Sequence, residues 1–108
     1  MHKKLVRIEQ KIARLKQELL QIGEMRPGSL TRQFQNKKDK KGGYYQISYT
    51  YRMKSRTEYV RPELVDDLRR QIASFKRFKQ LVQQWIDLAI EHSKIKMELA
   101  KRAQKDLS

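Results

Sequence analysis

The sequence predicts a single α+β domain: an N-terminal helix over residues 1–23, a three-stranded antiparallel sheet over 24–61, and a long C-terminal helix over 62–104. Three observations lead there. Apolar residues recur every three or four positions as far as Ile22, the period then falls to two between Ser29 and Val60, and no glycine or proline interrupts the chain after Pro62. The longer period belongs to an amphipathic helix and the shorter one to a half-buried strand. The two helices are expected to form an antiparallel hairpin with the sheet inserted between them and lying at one end.

The first helix rests on Leu5, Ile8, Ile12, Leu15, Leu19 and Ile22, which follow the a/d spacing of a helical seam. Gly23 stops it. A seam of branched aliphatic side chains calls for a helical partner.

In the first strand Leu30, Arg32 and Phe34 alternate with Thr31 and Gln33. In the second, Tyr45, Ile47, Tyr49 and Tyr51 alternate with Tyr44, Gln46, Ser48 and Thr50. A turn through Arg52-Met53-Lys54-Ser55 leads to the third strand, Arg56 to Val60. That turn would oppose Tyr51 to Arg56, Tyr49 to Glu58, Ile47 to Val60, Thr50 to Thr57 and Ser48 to Tyr59. Two faces result. One, with Leu30, Phe34, Ile47 and Val60, should lie under the helices. The other holds Thr31, Gln33, Tyr44, Gln46, Ser48, Thr50, Thr57 and Tyr59, and contains no acid.

Proline at position 62 is tolerated in a first helical turn, and Glu63, Asp66 and Asp67 complement the positive end of the helix dipole. At 1.5 Å per residue the helix would be roughly 60 Å long, about twice the first one. Beyond residue 84 it is expected to overhang its partner. The overhang carries Trp85, Leu88, Ala89, Ile95 and Leu99, and an apolar stripe of this kind is normally buried. Either a second copy covers it or the helix bends back on itself; the favoured expectation is a homodimer with Trp85, Leu88, Ile95 and Leu99 at its interface.

The 108 residues include 26 Lys+Arg and 12 Asp+Glu, a net charge of +14. Such an excess repels itself in the compact state, and a polyanion would relieve it. Nucleic acid is the first candidate and an anionic membrane surface the second. With no cysteine, disulfides and thiolate metal sites are excluded. The stretch MHKKLVRIEQKIARL has charges too frequent for a signal peptide. No run approaches the roughly 20 apolar residues of a membrane span, so a soluble cytoplasmic protein is expected.

Catalysis has little support. His2 and His92 lie on different helices, the phosphate-loop pattern is missing, and Asp66 and Asp67 point about 100° apart on a helix. Gly42-Gly43 suits a turn, with no strand-to-helix step to make a phosphate cradle. No enzyme activity, cofactor or metal is expected.

The cations are more informative by position. Residues 1–22 carry +4, residues 23–61 carry +7 and residues 62–108 carry +3. Lys37, Lys38, Lys40 and Lys41 share one loop, and Arg52, Lys54 and Arg56 surround the hairpin tip. Between them lies the acid-free face, where Tyr44, Gln46 and Tyr59 are the candidates to touch bases while the cations hold phosphates. Tyr45, Tyr49 and Tyr51 belong to the covered face.

The stretches RPGSLTRQ, GYYQISYT and RTEYVRPE resemble an uncharacterised family of small basic bacterial and archaeal proteins often associated with mobile elements, over residues 25 to about 90. The resemblance implies a setting around mobile elements. Many relatives have a cysteine-rich loop between the first two strands. This chain has NKKDKK there, so a metal clip of that kind is not expected here.

The expected function is thus a non-enzymatic nucleic-acid-binding protein, for DNA or RNA, acting as an accessory factor of a mobile element through a basic sheet and hairpin surface. The alternative is a coiled-coil interaction module for a larger protein with an acidic surface.

Overall fold

The computed structural model describes residues 2–34 and 42–107. In chain order it contains α1 (His2–Leu20), β1 (Ser29–Gln33), β2 (Tyr44–Tyr51), β3 (Lys54–Val60), a 3₁₀ turn (Pro62–Leu64) and α2 (Val65–Leu107). This is the α+β order that the periodicities predict. The chain divides into two compact units, a sheet unit of Gly23–Arg77 and a helical unit of Met1–Ile22 with Phe78–Ser108. The first turns of α2 serve the sheet unit and the remainder serves the helical unit.

The sheet unit is an antiparallel meander of order β1-β2-β3. Along β1, Leu30 opposes Ile47 and Thr31 opposes Gln46. Along β3, Tyr51 opposes Lys54, Tyr49 opposes Arg56, Ile47 opposes Glu58 and Gln46 opposes Tyr59. The expected pairing of β2 with β3 is therefore displaced by two residues. The cause is the turn, which takes two residues rather than four: Arg52 and Met53 both have positive φ, 50° and 66°. A turn with both central residues in that region matches the twist of the strands it joins. Since side chains alternate with period two, a two-residue displacement leaves every residue on its expected face.

Ile47, Val60, Val65 and Ile72 form the core of this unit, with Leu30, Tyr45 and Leu68 packed against them. Val65, Leu68 and Ile72 lie on one face of α2, which is why the helix covers the sheet. Phe34 stands outside this cluster, under the guanidinium of Arg32 at 5.0 Å. The segment before β1 is tied to α2 where the Arg26 backbone N–H donates to the Gln71 carbonyl, at 3.1 Å. The Gln71 amide also donates to Asp67 at 2.9 Å.

In the helical unit Leu5, Ile8 and Ile95 form a second core, flanked by Ile12, Leu88 and Leu99. Leu15 and Leu81 are buried as well. Lys4 pairs with Glu91 at 3.3 Å, Glu9 meets His92 at 3.0 Å, and the Lys16 ammonium lies 5.2 Å from the Trp85 ring centre. Lys4 near the start of α1 meets Glu91 and Lys16 near its end meets the earlier Trp85, so the helices are antiparallel.

The expected overhang is absent. Leu88, Ile95 and Leu99 meet α1 of the same chain, and Trp85 meets Lys16, so these four have intrachain neighbours where a second copy was expected. The first turns of α2 spend their apolar face on the sheet. The α1 seam is therefore met by residues farther along.

Candidate functional site

Alternation along three paired strands puts Ser29, Thr31, Gln33, Tyr44, Gln46, Ser48, Thr50, Ser55, Thr57 and Tyr59 on one face of the sheet. Each is exposed or half-buried. The face carries no charge of either sign. Ser48 and Thr57 hydroxyls are 3.3 Å apart, and the Gln33 amide donates to Thr31 at 3.3 Å. Tyr44 and Tyr59, diagonal neighbours across β2 and β3, have ring centres 6.3 Å apart at 45°. Tyr59 is 62% exposed.

The other three tyrosines are each flanked by arginine. Arg32 and Arg69 lie 5.9 and 5.6 Å from the Tyr45 ring centre. Arg26 lies 4.9 Å from Tyr49, and Arg52 and Arg56 lie 5.2 and 6.0 Å from Tyr51. Guanidinium planes over ring faces are attractive. Tyr49 also donates its hydroxyl to Glu58 at 2.7 Å, and Arg26 donates to the other oxygen of Glu58 at 2.8 Å. The Arg26 hydrogen bond, then that of Tyr49, holds the Glu58 carboxyl below the usual carboxylate range. The same bond to Glu58 pushes the Tyr49 phenol up.

Of the residues predicted for the site, Tyr44, Gln46 and Tyr59 come together on the open face. Lys54 and Arg56 belong to the opposite face by register, and Arg52 and Arg56 gather around Tyr51. The predicted cations of the tip therefore do not rim the tyrosine pair. Lys37, Lys38, Lys40 and Lys41 lie outside the described residues.

Two features escape the sequence reading. Met53, at the apex of the hairpin, is 98% exposed. On α1, Lys3, Arg7, Lys11 and Arg14 are exposed and have no ion pair or ring partner among the described residues. Their spacing of four, four and three residues sets them in one stripe about 16 Å long. Lys3, Lys4, Arg7 and Lys11 border a groove of about 440 Å³ together with Ile8 and Glu91. That stripe was legible in the spacing of the cations, which counting charge by segment conceals.

Among the described residues no group of three or more His, Asp or Glu side chains could hold a metal ion. No helix among them is long and apolar enough to cross a membrane.

No curated protein and no solved structure matches the chain. The model of one protein family matches residues 3–70, from the first turn of α1 through the whole sheet into the start of α2. That match covers well over half of the chain, which thus belongs to the family described as Domain of unknown function (DUF6788).

Proposed function

We propose that this protein binds nucleic acid without catalysing a reaction on it, presenting the open face of its sheet to bases and its cations to phosphates. The observation that carries the reading is that face: ten residues drawn only from Ser, Thr, Gln and Tyr, on a chain of net charge +14. Hydroxyls and amides donate to and accept from base edges, and an aromatic pair offers stacking surface that suits any base. Cations supply the sequence-independent attraction. As read from the sequence, they include Lys37, Lys38, Lys40 and Lys41. Work as an accessory factor of a mobile element is the setting that the sequence resemblance suggests.

A second reading, a docking module for a larger protein, is favoured by Ile86, Ile90 and Met97. They are 46%, 51% and 63% exposed and recur at helical spacing along α2.

Fluorescence anisotropy with single-stranded and duplex oligonucleotides across a salt series tests the proposal. Replacing Tyr44 and Tyr59 together with leucine should cost about 1–3 kcal/mol per stacked base, roughly 5- to 150-fold each, with the salt slope unchanged. Absence of binding by the wild type at low salt, or unaltered binding by the tyrosine variant, overturns it. A partner captured equally well at high salt supports the docking module instead.

A further inference from the structure

The tip of the β2–β3 hairpin combines three features. Arg52 and Met53 both stand at positive φ, 50° and 66°, in a turn where Asn-Gly is the unstrained choice. An apolar side chain, Met53, sits at the apex with 98% of its surface exposed. Around it are Arg52, Lys54 and Arg56, and no acid lies between Tyr44 and Thr57.

Each feature is unfavourable for a hairpin standing alone in water. Left-handed backbone is costly for residues with a Cβ, an exposed methionine gains nothing from water, and neighbouring cations repel. The methionine and the cations become favourable against one kind of partner, and the strained turn presents them to it. Duplex DNA offers phosphates to the cations, and proteins that kink it insert an apolar side chain, methionine among those used, between two stacked base pairs. A two-residue turn makes the narrowest tip a hairpin can have, and it holds the Met53 side chain at the leading point.

We infer that Met53 is a wedge that enters a base step of duplex DNA, with Arg52, Lys54 and Arg56 engaging the flanking phosphates. This rests on the proposed nucleic-acid binding and specifies a duplex. The pyrimidine–purine steps TA and CA unstack most easily, and the wedge is directed to them. An anionic membrane surface shares the charge complementarity but fits less well, because stable membrane anchoring takes more apolar contact than one side chain supplies. Duplex DNA needs only the one.

The full chain is titrated onto a duplex of roughly 30 base pairs carrying 2-aminopurine beside a single central TA step, with a donor and an acceptor dye at its ends. The wild type should raise the 2-aminopurine signal and shorten the end-to-end distance by a bend in the range of about 20–90°. Met53→Leu should keep both signals. Arg52→Asn with Met53→Gly gives a relaxed turn, so it should fold at least as well as the wild type and lose both signals. Unaltered unstacking and bending by that double variant overturns the wedge. Wild-type binding to the duplex without unstacking overturns the wedge and leaves nucleic-acid binding standing, whereas no binding to any oligonucleotide at low salt removes both. Tip-dependent binding to phosphatidylserine vesicles without a duplex signal assigns the tip to membranes and also overturns the wedge.

Discussion

Replacing Gly28 with alanine tests how the sheet unit is built. Gly28 has φ of +144°, a backbone conformation that residues with a Cβ rarely adopt. A Cβ there would stand 2.9 Å from Ile47 Cγ1, 3.0 Å from Ile47 Cδ1 and 3.1 Å from the Ser48 carbonyl oxygen. Neither neighbour can withdraw cheaply. Ile47 is 1% exposed, at the centre of the core, and Ser48 is held in the strand pairing opposite Ser29. The conformational cost is about 1–3 kcal/mol and the overpacking cost is about 1–3 kcal/mol, so Gly28→Ala should destabilise by about 2–6 kcal/mol. Gly23 is the internal comparison, because a Cβ there would meet no heavy atom within 4 Å and its φ is not positive. Gly23→Ala should be neutral or stabilise by up to about 1 kcal/mol through the unfolded chain. Urea denaturation followed by circular dichroism, with equal slopes for all three proteins, reads the differences. A Gly28→Ala unfolding free energy within about 0.5 kcal/mol of wild type refutes the close approach to Ile47. Equal losses at both positions would trace the effect to glycine replacement in general.

Glu58 and Tyr49 give the stability a pH dependence on two sides. The carboxyl of Glu58 is lowered in the fold, so its contribution is complete above the ordinary carboxylate value of about 4.3 and is lost as pH falls through the folded value. The Tyr49 phenol is raised, so its contribution is present below about 10 and is lost as pH rises through the folded value. Melting temperatures from acid to alkaline pH should therefore show both losses in the wild type and weaker ones in Glu58→Gln; matching profiles would remove the network from the account. Ile95→Ala, at a side chain only 8% exposed, should cost about 2–5 kcal/mol and strip hydrogen-exchange protection from α1. Unchanged protection of α1 together with a change in sedimentation would mean that the seam joins two copies.

The order of elements was legible because each has its own period. Leu5, Ile8 and Leu15 are buried as the seam requires, and strand alternation assigned the two faces correctly even though the pairing of β2 with β3 was read two residues off. That error arose from turn chemistry. Arg-Met carries none of the signals of a two-residue turn, since neither residue favours positive φ, and a longer loop was the natural reading. The partner of α1 failed for a different reason. Periodicity shows that Trp85, Leu88, Ile95 and Leu99 want cover but not which chain segment supplies it, and assigning the start of α2 to α1 overlooked the sheet's claim on Val65, Leu68 and Ile72.

The tyrosines show why the candidate site was only half legible. Counting residues places Tyr44, Tyr45, Tyr49, Tyr51 and Tyr59 in one aromatic ribbon with arginines nearby, and alternation separates them into two faces. Which arginine lies on which ring is a tertiary fact. Arg26 comes from the segment before β1 and Arg69 from α2, far in sequence from Tyr49 and Tyr45. Those contacts occupy the rings of the helix-side face, although Tyr51 at its hairpin end is 51% exposed rather than covered, and leave Tyr44 and Tyr59 with each other. On the proposed function this separation assigns affinity and selectivity to different residues. Contacts made by an uncharged face of hydroxyls, amides and rings respond little to salt, while the attraction supplied by cations elsewhere weakens steeply as salt rises. A stack on Tyr44 and Tyr59 should therefore persist, as a preference among bases, under conditions where total affinity has largely fallen away.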